Sequence, residues 1–150
     1  MAPTQEACDV TSVTLVGHSI GGFIARAAPI LHHIFTPKPK PNKKSYQIQS
    51  NNYEISIDSI ITLATPHQSL PYIFDQSVHH FFQSVNNWWI RNKSAHNNNN
   101  CTEECILSQI PVVSISGGFR DELIPPNLCN VESFHQLSIS VRTSWNTYFF

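Results

Sequence analysis

The chain has 150 residues, 41% of them hydrophobic and 13% charged, with a formal net charge of −1. These totals fit one globular domain with a real core and exclude a disordered chain. A near-neutral chain without a basic face is not built to hold nucleic acid, and no apolar run approaches the roughly 18 residues that a membrane-spanning helix needs.

Met1 to Thr11 is a polar lead-in, and its first ten residues lack the apolar stretch of a signal peptide. Ser12 to Val16 is expected to be a buried strand, too continuously apolar to leave a face in water. A Gly-x-Ser-x-Gly turn follows at Gly17, Ser19 and Gly21. Between a strand and a helix this pattern is a nucleophile elbow. The tight turn holds Ser19 in a strained backbone conformation, with its hydroxyl above the sheet edge. The backbone N–H of Ile20, at the start of the helix, is then placed to donate to an oxyanion. Gly17 and Gly21 are expected to be required because a side chain at either would collide across the turn. The helix is predicted from Gly21 to about Ile34, with Arg26 its only charge before His32 and His33 and with a kink or early end at Pro29.

Residues 37–52 change character: Pro37, Pro39 and Pro41 alternate with Lys38 and Lys40, and Lys43 and Lys44 follow. This segment reads as an inserted loop, either simply solvated or touching anionic lipid headgroups. The next strand is best placed at Ser59–Ala64, and Thr65-Pro66-His67 ends it. That is the edge of a parallel sheet where ligands bind, so His67 is either an active-site neighbour or a turn histidine. From Asp75 to Arg91 apolar residues recur at three and four (Val78, Phe81, Phe82, Val85, Trp88, Trp89), which predicts an amphipathic helix. Such a helix would pack on the sheet or cap the site against an acyl chain. Residues 92–104 form an Asn-rich polar loop.

Val112–Ser116 is a third strand, followed by Gly117-Gly118-Phe119-Arg120-Asp121. A carboxylate after a late strand is where a serine hydrolase of this architecture keeps its triad acid, and Ser before Asp is the matching chain order. Asp121 would hold a histidine in the working tautomer; the plainer alternative is an aspartate capping its own turn. Leu137–Val141 is a short further strand. Of four cysteines, Cys101 and Cys105 flank a short turn and would either pair or stay free, and no pair has zinc-site context. Two sequons start at Asn92 and Asn100.

Four blocks carry a resemblance to one family. Val16-Gly17-His18-Ser19-Ile20-Gly21-Gly22-Phe23-Ile24-Ala25-Arg26-Ala27 resembles the elbow of the GPI inositol-deacylases. Ile60 to His67 is similar to that family's strand ending in Thr-Pro-His, Val85-Asn86-Asn87-Trp88-Trp89 to its Asn-Asn helix, and Ser114 to Asp121 to its Gly-Gly-Phe-Arg-Asp loop. The resemblance implies an α/β class: a partial α/β-hydrolase fold, residues 1–150 forming one partial catalytic domain. Its parallel sheet would carry helices on both faces, with the first strands and the C-terminal part missing and an open, aggregation-prone edge.

The implied activity is carboxylic ester hydrolysis, removing the acyl chain from the inositol of GPI anchors in the endoplasmic reticulum membrane and so assisting export of GPI-anchored proteins. Ser19 would be the nucleophile, Asp121 the acid and Ile20 N–H an oxyanion donor, with no metal and no cofactor. The implied partners are the GPI-anchor lipid and GPI-anchored proteins, and the family's membrane region is not encoded here. The family's catalytic histidine is expected in an Asp-His pair a few residues beyond Trp145, where this chain reads Asn146-Thr147-Tyr148-Phe149-Phe150. His18, His67 and His135 are the candidate neighbours, and none matches that position. Two other readings share these features: a catalytically inactive hydrolase fragment, and a soluble lipase or esterase of the same fold.

Overall fold

A computed structural model describes residues 11–35, 47–50, 53–70, 75–97, 109–118, 121–134 and 137–143, with the backbone alone described for 32–35, 47–50, 53–55 and 94–97. Five strands and two helices follow in the order β1 (Ser12–His18), α1 (Ile20–Phe35), β2 (Gln47–Ser50), β3 (Tyr53–Leu63), α2 (Gln76–Asn97), β4 (Val112–Ser116) and β5 (Ser138–Arg142). Four strands make a parallel sheet in the order β1-β3-β4-β5, and β2 runs antiparallel to the start of β3. Parallel strands joined through helices are the α/β arrangement the sequence implied, and they set the C-terminal ends of β1, β3 and β4 along one edge.

The register sorts the side chains into two faces. On one, Ile60 pairs with Val112, and Thr62 with Gly17 and Ser114. All of these are buried. The apolar stripe of α1, Phe23, Ala27 and Ile30, lies on this face, and Phe82, Val85 and Trp89 of α2 close the same core. Phe23 stacks on Phe82 at 4.4 Å between ring centroids. Residues 82, 85, 86, 89 and 92 recur at three and four, so one helix face supplies the buried positions among α2's described side chains.

The other face is open among the described residues. Val16, Ile61, Val113 and Ile139 stand in one row across all four parallel strands, and His18, Leu63, Ile115 and Val141 in the next. Val16 is 64% exposed and Ile139 62%. Here the structure corrects the sequence reading. β1 is not buried on both sides: Ser12, Thr14, Val16 and His18 are exposed and only the alternate residues are covered. Both described helices share one face rather than dividing between two.

Three boundaries also move. Pro29 does not end α1, which runs through it to Phe35; its missing N–H removes one bond of the helix ladder and the surrounding packing carries the helix past it. Part of the expected 37–52 loop is a strand, because Gln47–Ser50 finds a template in the long first half of β3. The first part of the Asn-rich loop expected at residues 92–104 is helical instead, since α2 continues to Asn97; residues 98–104 lie outside the described ones. Among the described residues no helix is long and apolar enough to cross a membrane.

Candidate active site

The elbow has the predicted geometry. Ser19 lies between the last residue of β1 and the first of α1, with φ of 53°. A non-glycine residue at positive φ is strained and persists only where its surroundings fix it. Here the Ser19 N–H donates to Leu63 O at 2.9 Å and the Gly22 N–H to Ser19 O at 3.1 Å. Ile20 opens the helix, so its N–H is among those with no acceptor inside the helix. It is free to face an oxyanion.

The glycines divide differently from the expectation. A Cβ on Gly17 would stand 2.5 Å from Gly21 O and Gly22 N, so Gly17 is obligatory. A Cβ on Gly21 would meet nothing within 4 Å. The crowded position is Gly22, where a Cβ would fall on the Thr65 side chain, with Thr62 Cβ at 3.0 Å. The turn after β3 is therefore pressed directly against the first turn of α1.

Asp121 follows β4 at the same sheet edge, two strands from Ser19 and thus about 10 Å away in strand spacing. Its Oδ1 accepts the N–H of Leu123 at 3.2 Å and of Ile124 at 2.9 Å, so the aspartate does cap its own turn. Its Oδ2 lies over Gly117, where a Cβ would come within 2.7 Å, and takes none of the described hydrogen bonds. One oxygen orders the loop and the other is left for a partner. Gly118, at φ +83°, supplies the left-handed residue that this loop needs. Nearby Cys129 is a free, buried thiol, pushed up to about 11 by burial and then by the Asp121 charge. It stays protonated, and so unreactive, at neutral pH.

The three candidate histidines part company. His18 is exposed at the end of β1, in the row with Leu63 on the open face. His135 lies outside the described residues. His67 is fully buried and committed. Arg26 Nη1 donates to its Nδ1 at 2.9 Å, and a guanidinium has no lone pair to offer in return. Nδ1 must therefore be unprotonated. The proton sits on Nε2, which donates to Thr62 Oγ1 at 2.9 Å. Burial, and secondarily the Arg26 charge, hold this imidazole well below its usual pKa. A neutral ring with both nitrogens engaged is a structural histidine and not a general base.

Arg26 is the residue that sequence reasoning missed. It is 1% exposed and lies between the rings of Trp89 and Phe134, its guanidinium carbon 5.5 and 5.1 Å from their centroids. Its other terminal nitrogen donates to Asn86 Oδ1 at 3.2 Å, and burial lowers its pKa to about 9. In the sequence Arg26 falls on the Phe23, Ala27, Ile30 stripe, as a solvated cation at the edge of that stripe also would. Asn92, which opens one of the two sequons, is 3% exposed within α2, and its side chain donates to Trp88 O.

An open polar cavity of about 820 Å³ lies under the acid loop, lined by residues including Gln68, Ser114, Asn127, Ser140 and Arg142. Ser19 and Ile20 are not in its wall, and Gln68 is spent on Asn130 O and Ser133 Oγ, so this cavity is not the place where an acyl group would meet the serine. Among the described residues no cluster of His, Cys, Asp and Glu could hold a metal ion.

Residues 4–148 match the model of the PGAP1-like alpha/beta domain. The GPI inositol-deacylase of Schizosaccharomyces pombe is 33% identical over 124 residues, covering 83% of this chain and 9% of the relative. That of Neurospora crassa is 34% identical over 125 residues, 83% of this chain and 8% of the relative. The putative GPI inositol-deacylase C of Yarrowia lipolytica is 31% identical over 140 residues, 93% of this chain and 14% of the relative. The chain thus spans only a small part of the length of these curated relatives.

Proposed function

Since the chain belongs to the family of the PGAP1-like alpha/beta domain, we propose that it carries the nucleophile and acid of a serine ester hydrolase that removes the acyl chain from the inositol of GPI anchors. The observation that carries this reading is the Ser19 elbow, a strained serine at a helix N-terminus beside a sheet edge that also bears Asp121. Exposed apolar side chains at the same edge, Ile20 (45%) and Leu123 (63%), suit an acyl substrate.

In this reading the Ser19 hydroxyl oxygen attacks the ester carbonyl carbon and a bond forms between them. The charge that develops on the carbonyl oxygen is met by the Ile20 N–H. The bond to the inositol oxygen breaks, and that oxygen leaves as the alcohol with the serine's proton. Water then releases the fatty acid and restores Ser19. A base must carry the proton, and Asp121 Oδ2 is the group that would orient it. Neither described candidate histidine is that base: His67 is committed to Arg26 and Thr62, and His18 stands on the open face. By this reading the chain works at the endoplasmic reticulum membrane, on GPI-anchored proteins bound for export.

The commitment of His67 to Arg26 and Thr62 favours a second reading, a nucleophile elbow without catalysis. Labelling by a fluorophosphonate probe separates the two, because such probes need an activated serine. The expected result is labelling of the full chain that disappears in Ser19→Ala, followed by fatty acid release from an inositol-acylated GPI in preference to a simple ester. A folded chain that takes no label overturns the esterase reading. Equal hydrolysis of simple esters and the glycolipid overturns the substrate.

A further inference from the structure

Arg26 is a buried cation without a countercharge: no described carboxylate pairs with it, and its donors go to His67 Nδ1 and Asn86 Oδ1. An ionised group out of water is costly unless its hydrogen bonds are met, and here neutral acceptors and two aromatic faces meet them. What this arrangement ties together is specific. Arg26 stands about two turns along α1 from Ser19, at 3.6 residues per turn. His67 ends the turn that follows β3. That turn is bonded on both sides. Toward the elbow, Leu63 O accepts from Ser19 N–H at 2.9 Å, and Thr65 fills the space beside Gly22. Toward the acid loop, Leu128 O accepts from the N–H of His67 at 2.7 Å and of Gln68 at 3.0 Å. Leu128 lies in the loop that Asp121 begins. Asn86 Nδ2 closes the arrangement by donating to His67 O at 3.0 Å.

We propose that Arg26 and His67 are positioning residues: their side-chain bond locks the 64–67 turn against α1 and thereby fixes the nucleophile elbow relative to the acid loop. The inference rests on the esterase reading for its purpose, but not for its geometry. His67 then acts through its neighbours and never touches substrate. The elbow depends on an acceptor at Nδ1, not on an imidazole that exchanges protons.

Nitrogen NMR of the histidine-labelled full chain tests the pair without any substitution. The expected signature is Nδ1 bare and Nε2 protonated from about pH 5 to about pH 8, across the range where an ordinary histidine titrates. An Nδ1–H tautomer, or an ordinary titration, overturns the proposal. Amide exchange tests the coupling. Arg26→Met and His67→Leu are expected to speed exchange at Ser19, Gln68 and residue 67 by about tenfold, the size of one buried hydrogen bond to a charged group. The amides of Ile60 and Val112, bonded to Pro111 O and Leu137 O, should not change. His67→Asn, which keeps an acceptor near the Nδ1 position, should restore slow exchange. Equal acceleration at Ile60 and Val112 would mean general loosening and would sink the idea, as would unchanged exchange at Ser19 in folded Arg26→Met. None of these readouts needs turnover. An unlabelled Ser19 beside an intact Arg26–His67 signature overturns only the esterase reading, and a labelled Ser19 with the wrong tautomer overturns only this one.

Discussion

The two faces of the sheet invert the usual expectation for apolar and polar residues. The covered face holds Thr62, Ser114, Ser116, Arg26 and His67, all buried, alongside Ile60 and Val112. The bare face carries two rows of valine, isoleucine and leucine that pass unbroken across four strands apart from His18. Parallel sheets are normally covered on both sides because both sides are apolar. The difference teaches that burial here follows which elements arrive, not how greasy a position is. These five polar groups survive burial because each has a partner: Ser114 Oγ donates to Cys129 O at 2.6 Å, and Arg26 donates to two acceptors.

Three experiments sharpen that contrast. The largest effect belongs to the covered face. Trp89→Ala removes a side chain that is 1% exposed, that stands over Arg26 and that donates to Arg26 O at 3.2 Å. The expected loss is about 3–5 kcal/mol in urea denaturation. A loss no larger than that of a surface substitution would mean that α2 does not close the core.

Acidification gives the next. The folded imidazole of His67 is held well below 6.5, while the unfolded one titrates normally. Below about pH 6.5 the unfolded chain therefore binds the extra proton. The contribution is fully present above that value and is lost as pH falls, by about 1.4 kcal/mol per pH unit until the folded pKa is reached. His67→Asn lacks this dependence, so the gap in stability between the two chains should narrow between pH 7 and pH 5. A gap that stays constant would show that His67 takes up its proton in the folded state.

The smallest effect on stability belongs to the bare face. Ile139→Ser alters a residue that is 62% exposed and should shift unfolding by no more than about 0.5 kcal/mol. It should nevertheless reduce self-association of the chain in light scattering, because the contiguous apolar row is interrupted. A loss of stability as large as that of Trp89→Ala would reveal that something covers this face in solution.

These contrasts also mark what the sequence made legible. The strand-to-helix turn at Ser19 and the glycine turn after β4 were readable because each couples a local pattern to an obligatory backbone geometry, as Ser19 and Gly118 do through positive φ. Arg26 was not, because a lone cation on an apolar helix is ordinarily solvated; its burial comes from Trp89 and Phe134, far away in sequence. β2 was unreadable for a related reason. Gln-Ile-Gln-Ser has no apolar run, and the strand exists because β3 offers it an edge. His67 could not be assigned from its turn alone, since only the donor-only chemistry of its neighbour fixes the tautomer. The exchange of Gly21 for Gly22 as the crowded glycine depends on Thr65, which reaches the helix only after β3 has formed beside β1.

That last dependence sets an order of events during synthesis. Ser19 emerges before the carbonyl that anchors its amide, which belongs to Leu63, and the β4 strand that supports Ala64 comes later still. A nascent chain that has made the serine has not yet made the strained serine. The backbone strain at Ser19 is thus withheld until the ribosome has passed Leu63, and the turn is shaped by residues made after it.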